Sequence, residues 1–199
     1  MSHAFVPTHR TQVRRVAQRA TYLRDDILGI LDAGLVCHVG FVVDGHPFVI
    51  PTAYARIDDK LYLHGAVASR MLRAMRDGAP VCINVTLLDG LVLARSAFHH
   101  SMNYRSVVVV GTGIEVTEPA EKVAALRALV EHVSPGRWNQ TRKPNRKELE
   151  ATAVLRVPIE EASAKVRSGG PIDDAADYAL PYWAGQIPLT LVRGEPIPD

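Results

Sequence analysis

The chain has 199 residues, 47% hydrophobic and 22% charged, with a formal net charge of +2, an ordinary globular composition that suits one domain burying roughly 70% of its unfolded surface. Its two cysteines cannot organise a disulfide scaffold, and the longest apolar stretch, Gly34 to Val43, holds His38 and falls far short of the ~20 residues a helix needs to cross a membrane. So small a charge and only 6% aromatic residues argue against a nucleic-acid surface.

Residues 1–24 form a basic arm, with Arg10, Arg14, Arg15, Arg19 and Arg24 and no acid before Asp25. An organelle transit peptide can look like this, and so, more simply, can an arm that lies on its own domain. Residues 25–199 are expected to form that single domain. Cys37 and Cys82 sit in apolar runs and read as buried free thiols of a cytoplasmic protein.

Tyr22 to Ala33 predicts a short helix with Asp25 and Asp26 in its first turn, Ile27, Ile30 and Leu31 on one face, and Gly34 closing it. Leu35 to Val43 predicts a strand, and Asp44-Gly45 a hairpin turn. His46 to Ile57 follows as a second strand, in which Pro51 marks an edge, a bulge or a ladder interrupted for a ligand. Asp58-Asp59 turns the chain into a third strand, Lys60 to Gly65. Ser69 caps a helix from Arg70 to Asp77, with Leu72 and Met75 facing inward and Gly78 past its end. Pro80 to Leu88 and Leu91 to Phe98 flank Asp89-Gly90, which predicts another hairpin. Tyr104 to Val116 predicts a long strand with Gly111 and Gly113 as bulge points. Pro119 to Val133 is the clearest helix, with a stripe of Val123, Leu126, Val130 and Val133. Arg137 to Lys147 reads as loop, Asn145 and Glu148 as a capping box, and Val154 to Ile159 and Ile187 to Val192 as late strands. Hairpins without βαβ alternation predict a mainly β (α+β) fold, an antiparallel barrel decorated by helices.

Several chemistries are excluded. There is no P-loop, no Gly-x-Ser-x-Gly elbow, no Cys-x-x-Cys and no His-Glu-x-x-His, and Gly111-Thr112-Gly113 lacks the third glycine of a dinucleotide fingerprint. His99 and His100 are adjacent and point to opposite sides of an extended chain, so no metal site is expected. Ser163, Lys165 and Arg167 alternate along one strand face and read as solvated. The informative segment is Lys60 to Met75, where a strand ends at His64-Gly65 and a helix begins at Ser69-Arg70. A helix start with a hydroxyl, a guanidinium at Arg70 and a second within reach at Arg73 suits a phosphate; a plain serine cap with exposed arginines is the alternative.

These residues carry a resemblance. GHPFVIPTAY (Gly45 to Tyr54), LYLHGAVASRML (Leu61 to Leu72), NYRSVVVVG (Asn103 to Gly111) and YWAGQIPL (Tyr182 to Leu189), in that order and spacing, resemble the pyridoxamine 5′-phosphate oxidase-related FMN-binding split-barrel family, nearest its nitroimidazole-resistance-type flavin-nucleotide-binding branch. The resemblance covers about Ile27 to Leu191. It implies an antiparallel split β-barrel with peripheral helices, a homodimer, and FMN at the subunit interface. Val49, Ile50, Pro51 and Thr52 would run along the isoalloxazine ring, and Leu63 and His64 would flank ring and ribityl chain. Ser69, Arg70 and Met71 match a Ser-Arg-Lys phosphate clamp in which Met71 replaces the lysine and Arg73 substitutes for it. Ser106 would reach the ribityl or ring region, and Trp183 would pack on FMN from the other subunit. His99, His100 and Tyr104 are candidates for the substrate side. The family's vitamin B6 oxidases end in an Arg-x-His element; this chain has no histidine after His132. The expectation is an FMN-dependent oxidoreductase acting on a small organic molecule through flavin N5. Two alternatives stand: a heme- or flavin-binding barrel without turnover, with His64 or the His99-His100 pair as axial ligand, and a deazaflavin-dependent reductase.

Overall fold

The computed structural model describes residues 4–199. The elements in chain order are β1 (Ala20–Thr21), α1 (Arg24–Ala33), β2 (Val36–Val43), β3 (His46–Ala53), β4 (Ala55–Ile57), β5 (Lys60–Ala66), α2 (Arg70–Arg76), β6 (Pro80–Leu93), β7 (Ser101–Thr112), β8 (Ile114–Glu115), α3 (Pro119–Val133), α4 (Arg146–Ala151), β9 (Thr152–Pro158), β10 (Glu161–Arg167) and β11 (Gly185–Pro188), with short 3-10 turns between them. No helix among the described residues is long and apolar enough to cross a membrane.

All strand pairs are antiparallel and fall into two sheets. The larger runs β1-β10-β7-β6-β2-β3, with β11 pairing the distal half of β6; the smaller runs β4-β5-β9-β8. Alternation decides which side chains meet between them. Val39, Ile83, Val85, Val107 and Val109 of the large sheet pack against Leu61, Leu63, Leu155 and Val157 of the small one in a single core. The mainly β, antiparallel class expected from the sequence is the one found.

The chain passes directly from the large sheet into the small one at two points. Tyr54, fully buried between β3 and β4, donates its hydroxyl to the Leu31 carbonyl at 2.5 Å. Gly113, between β7 and β8, sits so close to α2 that a Cβ there would lie 2.9 Å from the Met75 Cβ. The β2–β3 turn has positive φ at Asp44 (51°) and Gly45 (77°), as a type I′ hairpin requires.

The outer face of the small sheet is covered by α3. Pro119 opens this helix, and the Glu118 side chain accepts the Glu121 amide at 2.6 Å. Glu121 then fastens it: Arg156 donates to both carboxylate oxygens at 2.7 and 2.6 Å, and the Tyr62 hydroxyl donates at 2.9 Å. The Arg156 guanidinium is the main reason the Glu121 carboxyl titrates below its usual range.

Five sequence expectations need correction. Asp89-Gly90 is no hairpin: β6 runs straight through it with a bulge between Leu88 and Gly90, because β7 continues to pair beyond and β11 adds on the other side. His46 to Ile57 is two strands in two sheets, and Tyr104 to Val116 likewise divides at Gly113. On α3 the deeply buried positions are Ala125 and Leu129, while Leu126 and Val130 are only half-buried and Val133 is exposed. Cys82 is exposed on the outer face of the large sheet, whereas Cys37 is buried and its thiol is pushed up to about 12. The Ser163-Lys165-Arg167 face is not solvated. Ser163 and Arg167 are each 6% exposed, and the Lys165 ammonium donates to the Arg15 carbonyl at 3.0 Å from the arm lying across it. Arg167 is held by Asn103 and by the carbonyls of Gly169 (3.1 Å) and Gly170 (3.0 Å), and desolvation pulls its pKa down.

Candidate functional site

Two places bring chemistry-bearing residues together, and both hang on the stretch β5–loop–α2. Leu61 and Leu63 of β5 point into the core, so Tyr62 and His64 must point to the other face. Tyr62 meets α3. His64, nearer the strand end, meets a cavity of about 530 Å³ between the small sheet, α3 and the segment leading to α4. Leu126, Leu129, Val130, Val133, Trp138 and Pro144 give it apolar walls, and Arg137 and Arg142 line it as well. The surplus apolar stripe of α3 therefore has a use: it walls a cavity.

The His64 ring is half-buried, and its Nδ1 is buried with no hydrogen-bond partner. Burial lowers its pKa below the histidine value of 6.5, so the ring is neutral at physiological pH. A neutral imidazole in an apolar cavity is the form that ligates a metal or a metal-bearing cofactor. The lining also includes Glu148, whose carboxyl is held down to about 2 by the Arg142 guanidinium (2.6 and 3.0 Å) and the Asn145 amide. Asn145 and Glu148 form the capping box read from the sequence.

The second place is the corner where α2 meets the β2–β3 hairpin. The Ser69 hydroxyl caps the helix, accepting from the Leu72 amide at 3.5 Å. Arg70 lies over the Phe48 ring at 4.8 Å. Arg70 and Arg73 line one shallow cavity of about 500 Å³ with Val42, Val43 and Asp77. With only seven residues, α2 offers little dipole, so an anion here would rest on the two guanidinia. Met71 is not part of the corner. Its side chain is 5% exposed in the core, so the position that departs from the family clamp faces inward, and Arg73 supplies the second cation.

Val49, Ile50, Pro51 and Thr52 lie on β3, an edge strand, where the missing proline N–H costs no ladder bond. Val49 and Ile50 are exposed. Leu63 is a core side chain with no surface. Ser106, whose hydroxyl donates to the Lys165 carbonyl at 3.2 Å, stands three strands from β3, roughly 14 Å at the usual strand spacing. Tyr104 is half-buried opposite Arg167. Trp183 is 64% exposed and lies over Gly185, beyond the distal half of β6. His99 and His100 sit on a separate loop. His100 Nδ1 is 3.0 Å from the Ser96 carbonyl oxygen. His99 Nε2 is 3.3 Å from an Asp174 carboxylate oxygen, and His99, Asp174 and Asp177 bring their ligand atoms within 4.8 Å of one another, a grouping that only the fold creates. One chain thus brings Arg70 against Phe48, the residue before Val49–Thr52 on β3, places His64 beside the α3 cavity, and leaves Ser106, Tyr104, His99, His100 and Trp183 apart from both.

The chain is an antiparallel split barrel with an arginine-lined corner beside an edge strand and a histidine-lined cavity behind it. The sequence profile of the pyridoxamine 5′-phosphate oxidase family matches residues 23–166, and the chain belongs to that family. Among solved structures, the flavocytochrome Anf3 of Azotobacter vinelandii is 43% identical, covering 98% of this chain and 91% of its own, with a TM-score of 0.92. A Mycobacterium smegmatis protein described as binding FAD and heme is 38% identical over 91% of this chain and 89% of its own, with a TM-score of 0.87. A candidate 5-nitroimidazole antibiotic resistance protein of Bacteroides thetaiotaomicron shares the fold at 24% identity, over 74% of this chain and 86% of its own, with a TM-score of 0.61. No curated protein matches the chain. The family resemblance read from the sequence is borne out.

Proposed function

We propose that this chain is a flavin- and heme-binding redox protein, an oxidoreductase in which one cofactor sits at each of the two places. The observation that carries the reading is His64: a neutral, half-buried imidazole with an unpartnered ring nitrogen, facing an apolar cavity lined by two arginines. The residues fit heme. His64 would be its axial ligand, the aliphatic walls would take the porphyrin, and Arg137 and Arg142 would face its carboxylates. The names of the 43% and 38% identical relatives point the same way.

The flavin would lie along Val49 to Thr52 with its phosphate on Arg70 and Arg73. The sequence points to FMN, while the Mycobacterium smegmatis relative is described as binding FAD; the two guanidinia suit the phosphate end of either. Bound flavin supplies two-electron chemistry at N5 and heme supplies one-electron transfer. The chain's part is position. Arg70 follows His64 by six positions, so the Cα atoms of the two anchors can stand no more than about 22 Å apart. We also propose a homodimer. Val36, Val42, Val49 and Leu88 are exposed on the outer face of the large sheet, and Tyr182 and Trp183 on the arm beside it, an apolar surface that a second copy would cover and that would bring Ser106 and Trp183 to a partner's flavin.

The test is the visible spectrum of the purified protein, before and after denaturation, with mass analysis of what is released. A flavin spectrum plus a Soret band is expected, and the mass separates FMN from FAD. A protein that carries neither chromophore, and takes up neither when both are added, overturns the proposal.

A further inference from the structure

We infer, resting on that heme reading, that His64 is the cavity's one ligating side chain and that the second axial position of the iron is left to a small neutral diatomic molecule. Side chains that commonly ligate heme iron are imidazole, thiolate, thioether and phenolate, with amine as a further possibility. Among the described residues lining the cavity, His64 is the one member of that set.

Thr152, Thr141 and Glu148, the other oxygen-bearing groups of the lining besides Ser134, are engaged. The Thr152 hydroxyl donates to the Glu148 carbonyl at 2.8 Å, and the Thr141 hydroxyl to the Trp138 carbonyl at 3.2 Å. Glu148 is bound by Arg142 and by its own helix cap. The nearby groups that could swing in are tied elsewhere. The Lys143 ammonium donates to the carbonyls of Trp138 and Thr141 and lies over the Trp138 ring, and His132 Nε2 meets the Gly34 carbonyl oxygen at 2.6 Å. Met71 and Met75 are in the core on the far side of β5. With Arg137 and Arg142 left to the heme carboxylates, the rest of the lining is mainly leucine, valine and tryptophan surface. Such walls give a charged ligand nothing to replace its hydration, and they admit carbon monoxide, oxygen or nitric oxide at little cost.

The experiment adds hemin to the purified, heme-depleted chain, reduces it with dithionite and titrates carbon monoxide while following the Soret band. The expected result is a five-coordinate, high-spin ferrous spectrum that converts completely, with one carbon monoxide bound per heme. In His64→Gly, hemin should be taken up only when free imidazole is added, and the carbon monoxide response should return with it; this rescue separates lost ligation from lost folding. Lys143→Gln and His132→Gln should leave the response unchanged. A low-spin, six-coordinate ferrous spectrum indifferent to carbon monoxide overturns the inference while leaving the heme site standing. Failure of the wild-type chain to take up hemin overturns the heme reading itself.

Discussion

The cavity beneath α3 and the corner at α2 share one strand and one loop, yet they are built on opposite principles. The cavity is walled mainly by apolar side chains, and its chemistry rests on a single uncharged ring, His64. The corner is walled by charged and polar side chains as well, and its chemistry rests on two permanent charges, Arg70 and Arg73. A neutral imidazole keeps its lone pair because burial disfavours the proton; a guanidinium carries its charge by its own delocalised structure. The first arrangement suits coordination, the second suits an anion. Side-chain alternation makes the difference possible, since β5 sends Leu63 into the core and His64 out beneath α3 one residue later.

That alternation gives the largest predicted contrast. Leu63→Ala opens a hole in the shared core and should cost about 2–5 kcal/mol of unfolding free energy, read as the midpoint of denaturant unfolding. His64→Ala, one position on, should change the midpoint far less and instead weaken hemin binding by at least ~100-fold, since even residues outside a ligand's direct contact cost 10–100-fold. Flavin content should survive in His64→Ala. If Leu63→Ala and His64→Ala shift stability equally, the histidine is a packing residue and the cavity assignment fails.

Arg70→Ala should reverse the pattern. Loss of one charge-assisted contact to a phosphate is worth about 1.5–3 kcal/mol, or roughly 10- to 100-fold in flavin affinity, with hemin uptake intact. Arg73→Ala should have an effect of the same sign, and the double variant should lose more than either. Fluorescence titration of the apoprotein with FMN and FAD measures all three, and an unchanged affinity in Arg70→Ala removes the corner from the flavin site. Met71→Lys tests the departure from the family clamp. Because Met71 is 5% exposed, a lysine there buries an unpaired charge and should destabilise the chain rather than tighten the flavin.

The two places were unequally legible in the sequence. The corner is local: Ser69, Arg70 and Arg73 lie within five residues, and the serine cap and the arginine spacing are visible without a fold. The cavity is assembled from β3, β5, α3 and the segment from Ser134 to Thr152, and no local pattern joins Ala53 and His64 to Trp138. One signal was available. The apolar stripe of α3 is wider than a small sheet can cover, and Leu126, Val130 and Val133 are the surplus. The strand count failed for a related reason. Asp89-Gly90 has the composition of a hairpin, but whether such a pair turns or bulges depends on whether the neighbours, here β7 and β11, continue to pair past it. Arg167 was read as solvated because its spacing fits an exposed strand face, and only the return of the chain at Gly169-Gly170 supplies the carbonyls that bury it.

The smallest expected effect concerns acid, and it separates the two places by titration rather than by deletion. Burial holds the pKa of His64 below 6.5, so between the lowered value and 6.5 the unfolded chain binds a proton that the folded chain does not. Stability from the neutral ring is therefore complete above 6.5, falls as the pH drops through that interval, and levels off below it. Comparing denaturant midpoints at about pH 7.5 and about pH 5.5 in the wild type and in His64→Gln cancels the other histidines, and the wild type should lose more on acidification. The same proton competes with iron for the imidazole, so hemin should loosen over the same interval. Flavin held by guanidinium groups, which do not titrate there, should instead respond to salt. Equal acid sensitivity in both chains would mean that the His64 ring has the same pKa folded and unfolded, so that the cavity does not desolvate it.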